Sequence, residues 1–202
     1  MVAGVARVTL VRNGVPAVPG SEERGMSTED RAVASPHWFE DYLEGSVWSF
    51  GRIVVDRDEV LRYAQRYDPQ PFHVDEQAAS QSIYGGLIAS GWHTSAMMMR
   101  EVAGHYLHGD SSLGSPGIDE LRWVRPVRPR DVLTVRATVL QATRSRSRPD
   151  RGLVRSLFET LNDQGETVMS MQAMTLIRCR QTPAAGLPSA PSTAASDPPS
   201  AF

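Results

Sequence analysis

The chain has 202 residues, 41% hydrophobic and 22% charged, with a formal net charge of −2. That balance gives no broad drive toward nucleic acid or anionic membrane, and no apolar run reaches the roughly 18 residues of a membrane span. All 21 basic residues are arginine and Cys179 is the one cysteine, which excludes lysine Schiff-base and P-loop chemistry and points to a reducing, cytoplasmic setting without disulfides.

Residues 1–35 mix Gly, Pro, Arg and Glu without periodicity, and Arg7 and Arg12 break their only apolar stretch. They are expected to be a disordered or mis-assigned extension, with Met26 a second plausible start. Residues 181–202 are built from Ala, Pro and Ser, a composition too poor in apolar surface to offset its ordering entropy. The folded unit is therefore expected at 36–180.

Within it, Ser46 to Val55 reads as a first strand. Asp56 with Glu59 resembles a capping box, and Val60, Ala64 and Tyr67 follow at helical spacing. Pro69 ends that helix, because the residue before a proline is pushed out of the α region. Asp75 is placed to cap a short turn through Ser80. From Trp92 to Leu107 the chain is apolar on nearly every face, so this helix is expected to be surrounded. Strand-like runs follow at 117–123, 132–141, 153–161 and 168–177, and Asn162-Asp163-Gln164-Gly165 marks a hairpin turn. One buried helix followed by antiparallel strands makes an α+β domain, a sheet wrapped around a long central helix.

The chemistry concentrates in Tyr67-Asp68-Pro69-Gln70-Pro71-Phe72-His73 and Gly85-Gly86-Leu87-Ile88-Ala89-Ser90-Gly91. A carboxylate and an imidazole five residues apart, on a loop stiffened by two prolines, suit the gripping of one water. A glycine at a helix start offers backbone N–H groups to a developing oxyanion, and a side chain there blocks close approach. Taken singly, Asp68 is a helix-end residue and His73 a half-buried loop histidine. Their conjunction with the glycine element is what points to catalysis. Gly85 and Gly86 read equally well as turn glycines.

Asp68-Pro69-Gln70-Pro71-Phe72-His73 resembles the D-x-N-P-(aliphatic)-H signature of MaoC-like dehydratases, or type 2 (R)-specific enoyl-CoA hydratases. Gly86-Leu87-Ile88-Ala89-Ser90-Gly91 is similar to the family's element at the start of the hot-dog helix, and Leu121 to Val127 followed by Asp131-Val132-Leu133 to its later strands. Two departures stand out. Gln70 replaces the usual asparagine, and Ser90 replaces the histidine commonly found before the helix glycine.

The resemblance implies a hot-dog fold and reversible hydration of a trans-2-enoyl thioester to an (R)-3-hydroxyacyl thioester. Asp68 and His73 would be the catalytic pair, and Gly91, Gln70, Ser90 and Gly86 the oxyanion and substrate-binding residues. It implies an acyl-CoA substrate, no metal or redox cofactor, no nucleic-acid or membrane partner, and a homodimer or a higher assembly of dimers. The competing possibilities are an acyl-CoA thioesterase on the same fold and a non-catalytic acyl-CoA-binding subunit. Weaker signals are His105 and His108 at helical spacing without a ligand cluster, the Met97-Met98-Met99 run as core or tunnel lining, and Arg144 to Arg151 as a solvated hairpin tip.

Overall fold

In the longest sheet element, every second side chain turns inward. Leu133, Val135, Ala137 and Val139 are almost wholly buried, because alternation places them on the one face that meets the core. The computed structural model describes residues 36–180 and, before them, only the backbone pair Arg7–Val8. Apart from that pair, the expected N-terminal extension and the expected tail lie outside the described residues.

The strands are β1 (Arg7–Val8), β2 (Val47–Val54), β3 (Gly117–Trp123), β4 (Val132–Arg144), β5 (Arg151–Leu161) and β6 (Thr167–Arg178). The helices are α1 (Arg57–Tyr67), α2 (Pro71–Val74), α3 (Glu76–Ser80) and α4 (Gly91–His105). The strands form one antiparallel sheet in the order β1-β2-β4-β5-β6-β3. The domain is α+β with the hot-dog arrangement, as expected. The β5–β6 turn is fastened by Asn162, whose side-chain oxygen accepts from the N–H groups of Gln164 and Glu166. Gly165 supplies the positive φ of 78° that closes the turn.

Helices α1 and α3 begin at capping aspartates. Asp56 accepts from Glu59 N–H at 2.7 Å, and Asp75 accepts from Ala78 N–H at 2.9 Å. Each thereby satisfies a donor that the helix leaves free. Beneath α4, the Tyr42 hydroxyl donates to the Tyr106 carbonyl at 2.7 Å. The Tyr106 hydroxyl lies 2.9 Å from Ser156 Oγ. These bonds let two large phenols sit in the core without an unpaired polar atom.

One expectation is corrected. Helix α4 is not surrounded: His93, Thr94, Met97, Met98 and Val102 are buried, but Trp92 is 56% and Met99 41% exposed. An apolar groove of about 460 Å³ runs between α4 and strands β3, β5 and β6, lined among others by Met98, Met99, Ile118 and Met171. An all-round apolar pattern reports that every face avoids water; it does not say that the chain's own sheet supplies every cover.

Candidate active site

Helix α1 stops at Tyr67, and Asp68 follows as its C-cap, with its own N–H donating to the Ala64 carbonyl at 2.9 Å. Pro71 starts α2 at the position where a missing N–H costs nothing. Between them Gln70 N–H donates to the Asp68 carbonyl and His73 N–H to the Gln70 carbonyl, both at 2.8 Å. These local bonds turn the Asp68 carboxylate and the His73 ring toward each other, with His73 Nε2 3.4 Å from Asp68 Oδ2.

The tautomer of His73 follows from its other nitrogen. His73 Nδ1 lies 2.9 Å from the Ile88 carbonyl oxygen, which only accepts, so Nδ1 carries a proton. In the neutral ring, Nε2 then presents a lone pair to the carboxylate. One water with two O–H donors can serve both of these acceptors, which face each other at 3.4 Å.

Asp68 is held at both oxygens. Gln70 Nε2 donates to Oδ1 at 2.8 Å, and Ser90 Oγ donates to Oδ2 at 2.7 Å. Burial pushes this carboxyl up, but the bonds from Ser90 and Gln70 and the field of His73 outweigh it, so its pKa lies below the ordinary 3.8. The same Ser90 Oγ accepts from Trp92 N–H at 3.2 Å, capping α4. Both departures from the family signature thus touch the acid directly.

Ser90→Ala removes a cap worth about 0.5–2 kcal/mol and one of the two donors to Asp68. We expect a lowered melting temperature and a raised Asp68 pKa, read by carboxyl-carbon NMR titration.

A folded-state pKa below 3.8 means that Asp68 adds stability above its unfolded value, which is lost as pH falls through the folded value. The stability difference between wild type and Asp68→Asn should therefore shrink as pH falls below 3.8. Urea titrations at neutral and acid pH check this.

Gly91 is the first residue of α4, where an N–H has no intrahelical acceptor. A Cβ on Gly91 would come within 2.5 Å of the Trp123 indole, so glycine is required by packing as well as by access. Asp68, His73, Gln70 and Gly91 line one cleft of about 420 Å³, together with Thr94, Trp92, Trp123 and Arg125 among others.

Gly86 is not in that lining. It sits beneath Arg128, whose Nη1 would lie 3.2 Å from an added Cβ, and serves the turn. It was expected among the substrate contacts, and the cleft is lined without it. Ser90 reaches the cleft only through Asp68 and the helix cap.

The sequence did not single out Trp123 or Thr94. Thr94 is buried one turn into α4, and its hydroxyl donates to the Ser90 carbonyl at 3.3 Å. Trp123 reaches Gly91 only because β3 returns along the start of α4, a contact that local patterning does not encode.

The other histidines lie elsewhere. His93 stacks on Tyr63 at 4.6 Å, and its Nε2 is 3.6 Å from Glu59. Burial lowers its pKa, partly opposed by Glu59. His108 meets His37 and Asp110, the ligating atoms all within 4.8 Å of one another. The two rings stack 4.3 Å apart at 3°, so their in-plane lone pairs run side by side instead of converging on one ion. His37 Nε2 already sits 2.8 Å from Asp110. At the hairpin tip, Arg151 pairs with Asp150 and Arg144 donates to the Pro149 carbonyl.

Comparison with known proteins shows the family and the fold. The MaoC like domain family matches residues 43–157, more than half of the chain. An uncharacterized protein, YdeM, from Bacillus subtilis is 28% identical over 139 residues, 69% of this chain and 97% of its own length. An (R)-specific enoyl-CoA hydratase from Rhodospirillum rubrum is 31% identical over 114 residues, 56% of this chain and 75% of its own. The crystal structure of a MaoC-like dehydratase from Rhodospirillum rubrum superposes with a TM-score of 0.67 at 40% identity, covering 72% of this chain and 99% of that one. An R-hydratase from Pseudomonas aeruginosa shares the fold, at 22% identity and a TM-score of 0.58 over 75% of this chain and 93% of its own. An ordered acid–imidazole pair, a capped helix start and the family match together make this chain a member of the MaoC-like dehydratase family.

Proposed function

We propose that the protein hydrates a trans-2-enoyl thioester reversibly to an (R)-3-hydroxyacyl thioester, with coenzyme A as the carrier. The observation carrying this reading is the facing of Asp68 Oδ2 and His73 Nε2 at 3.4 Å in the cleft that also contains Gly91.

A water bridging the two acceptors is oriented with its oxygen lone pair toward the substrate. Its oxygen bonds to carbon 3 while the carbon 2–carbon 3 π pair shifts toward the carbonyl. Negative charge then collects on the thioester oxygen, where the Gly91 N–H donates to it. The pair takes one proton from the water and returns one to carbon 2, so nothing is consumed but the water. Gln70 and Ser90 keep Asp68 ionised and fixed during both transfers, and no step in this cycle calls on a redox group.

The chain is proposed to work as a homodimer. Among the described residues β3 is an edge strand, paired on one side with β6, and an unpaired edge accepts a second strand. Sedimentation at micromolar concentration tests this.

Purified protein mixed with crotonyl-CoA should deplete the conjugated thioester absorbance without releasing free thiol. Thiol release at the same rate would assign the site to a thioesterase, and tight binding without either signal would assign it to an acyl-CoA-binding subunit.

A further inference from the structure

We infer that His93 is a positioning residue for Asp68: its buried ring sets the spacing of helices α1 and α4 and so keeps the acid within reach of the Ser90 hydroxyl. This goes beyond the proposed function and rests on it only where turnover is read.

The ring is in an unusual state. His93 is 2% exposed, yet neither ring nitrogen has a hydrogen-bond partner among the described residues. Buried polar groups are normally paired, and a leucine would fill this space without stranding two nitrogens. What an imidazole offers here is a flat face and an N–H edge together. The face stacks on Tyr63, with ring centroids 4.6 Å apart at 14°. The Nε2 edge lies 3.6 Å from Glu59 Oε1, too long for a hydrogen bond but within reach of the charge. Burial holds the ring's pKa below 6.5 against the pull of Glu59, so a neutral ring separates the helices at pH 7.

Both contacts fall on α1. Glu59 and Tyr63 stand four residues apart and are therefore neighbours on one helix face. Val60 and Ala64 beside them are fully buried. One turn further on, Tyr67 ends the helix and Asp68 caps it. Burial raises the Tyr63 phenol pKa, and the charges of Tyr67 and Asp68 add to it, which places this ring within electrostatic reach of the acid.

On α4, His93 follows Ser90 by three residues and Gly91 by two. The two helices are thus spaced by the His93–Tyr63 stack and joined by the bond from Ser90 Oγ to Asp68 Oδ2 at 2.7 Å. A hydrogen bond of that length is lost once its atoms part by about 1 Å. Emptying the His93 site frees the end of α1 to shift on α4 by that much, and the bond that fixes the acid goes first.

The test uses the full chain, with His93→Ala, His93→Phe, Ser90→Ala and the Ser90→Ala/His93→Ala double variant beside wild type. Carboxyl-carbon NMR follows the Asp68 titration, thermal melting follows the fold, and crotonyl-CoA hydration gives kcat and KM.

His93→Ala should raise the Asp68 pKa by about 0.5 or more, because a bond to the ionised form is lost. It should lower kcat about tenfold or more with KM within about threefold, since a 1 Å misplacement costs up to about 10²-fold. His93→Phe restores the flat face, and should bring back the Asp68 pKa and most of the lost kcat. The double variant should fall within about threefold of Ser90→Ala, which has no such bond left to protect. The inference is overturned if a folded His93→Ala protein keeps the Asp68 pKa of wild type, or if the kcat losses at His93 and Ser90 multiply. Should His93→Ala fail to fold, Tyr63→Leu removes the stack from the half-buried side, and the same titration decides. An Asp68 pKa that responds to His93→Ala in a protein without hydration would leave the positioning role standing and remove the hydratase. Hydration by wild type with an unresponsive Asp68 would do the reverse.

Discussion

Asp68→Asn and His73→Ala should each lower kcat for crotonyl-CoA hydration by about 10²–10⁴-fold, the usual worth of a positioned acid or base. The two losses should not add, because both groups grip the same water and either removal releases it. The double variant should therefore fall little below the worse single. Asparagine retains an acceptor for Ser90 and a partner for Gln70, so the Asp68→Asn protein should keep its fold. Thermal melting and steady-state assays of the three variants check both statements. Unchanged turnover in either single variant would refute the assigned roles.

A comparable loss is expected when the amide hydrogen at position 91 is removed. Gly91→Pro deletes that N–H at the first helical position, where proline is well tolerated. The preceding residue is already suitable, since Ser90 has φ −56° and ψ 141°, in the region a following proline prefers. Proline also brings a Cβ, which collides with the Trp123 indole. Gly91→Ala brings the same collision but keeps the N–H, and so serves as the comparator. Loss of an oxyanion donor typically costs about 2.7–4 kcal/mol, so the proline variant should turn over about 10²–10³-fold more slowly than the alanine variant. Equal rates in the two would remove Gly91 from the oxyanion role, whatever their shared deficit against wild type.

Much of the site was legible because its geometry is local. Asp68 and His73 are joined by a segment whose two prolines leave few conformations, and the caps at Asp56 and Asp75 are set by neighbours three residues on. The alternation in β4 was legible for a similar reason: one buried face imposes a period of two. What escaped depends on distant segments. Trp123 closes on Gly91 from the far end of β3, and His37 reaches Asp110 across 73 residues. The open side of α4 escaped because apolar residues facing a groove and apolar residues facing a sheet look alike in sequence. The glycines divide along the same line: Gly91 carries its meaning in its contact with Trp123, whereas Gly86 is a matter of one turn and one arginine.

Ser90 ties two properties of this protein into one hydroxyl. Its proton goes to the acid and its lone pair to the first turn of α4, so acidity and helix registration are inherited together. Replacing it takes a donor from the carboxylate and the cap from the helix in one change, so the effects of substitutions at Ser90 and Asp68 should not add. Directed evolution toward a different pH optimum should accordingly find its beneficial changes at Gln70, whose side chain bonds the carboxylate without capping α4, well before it finds any at Ser90.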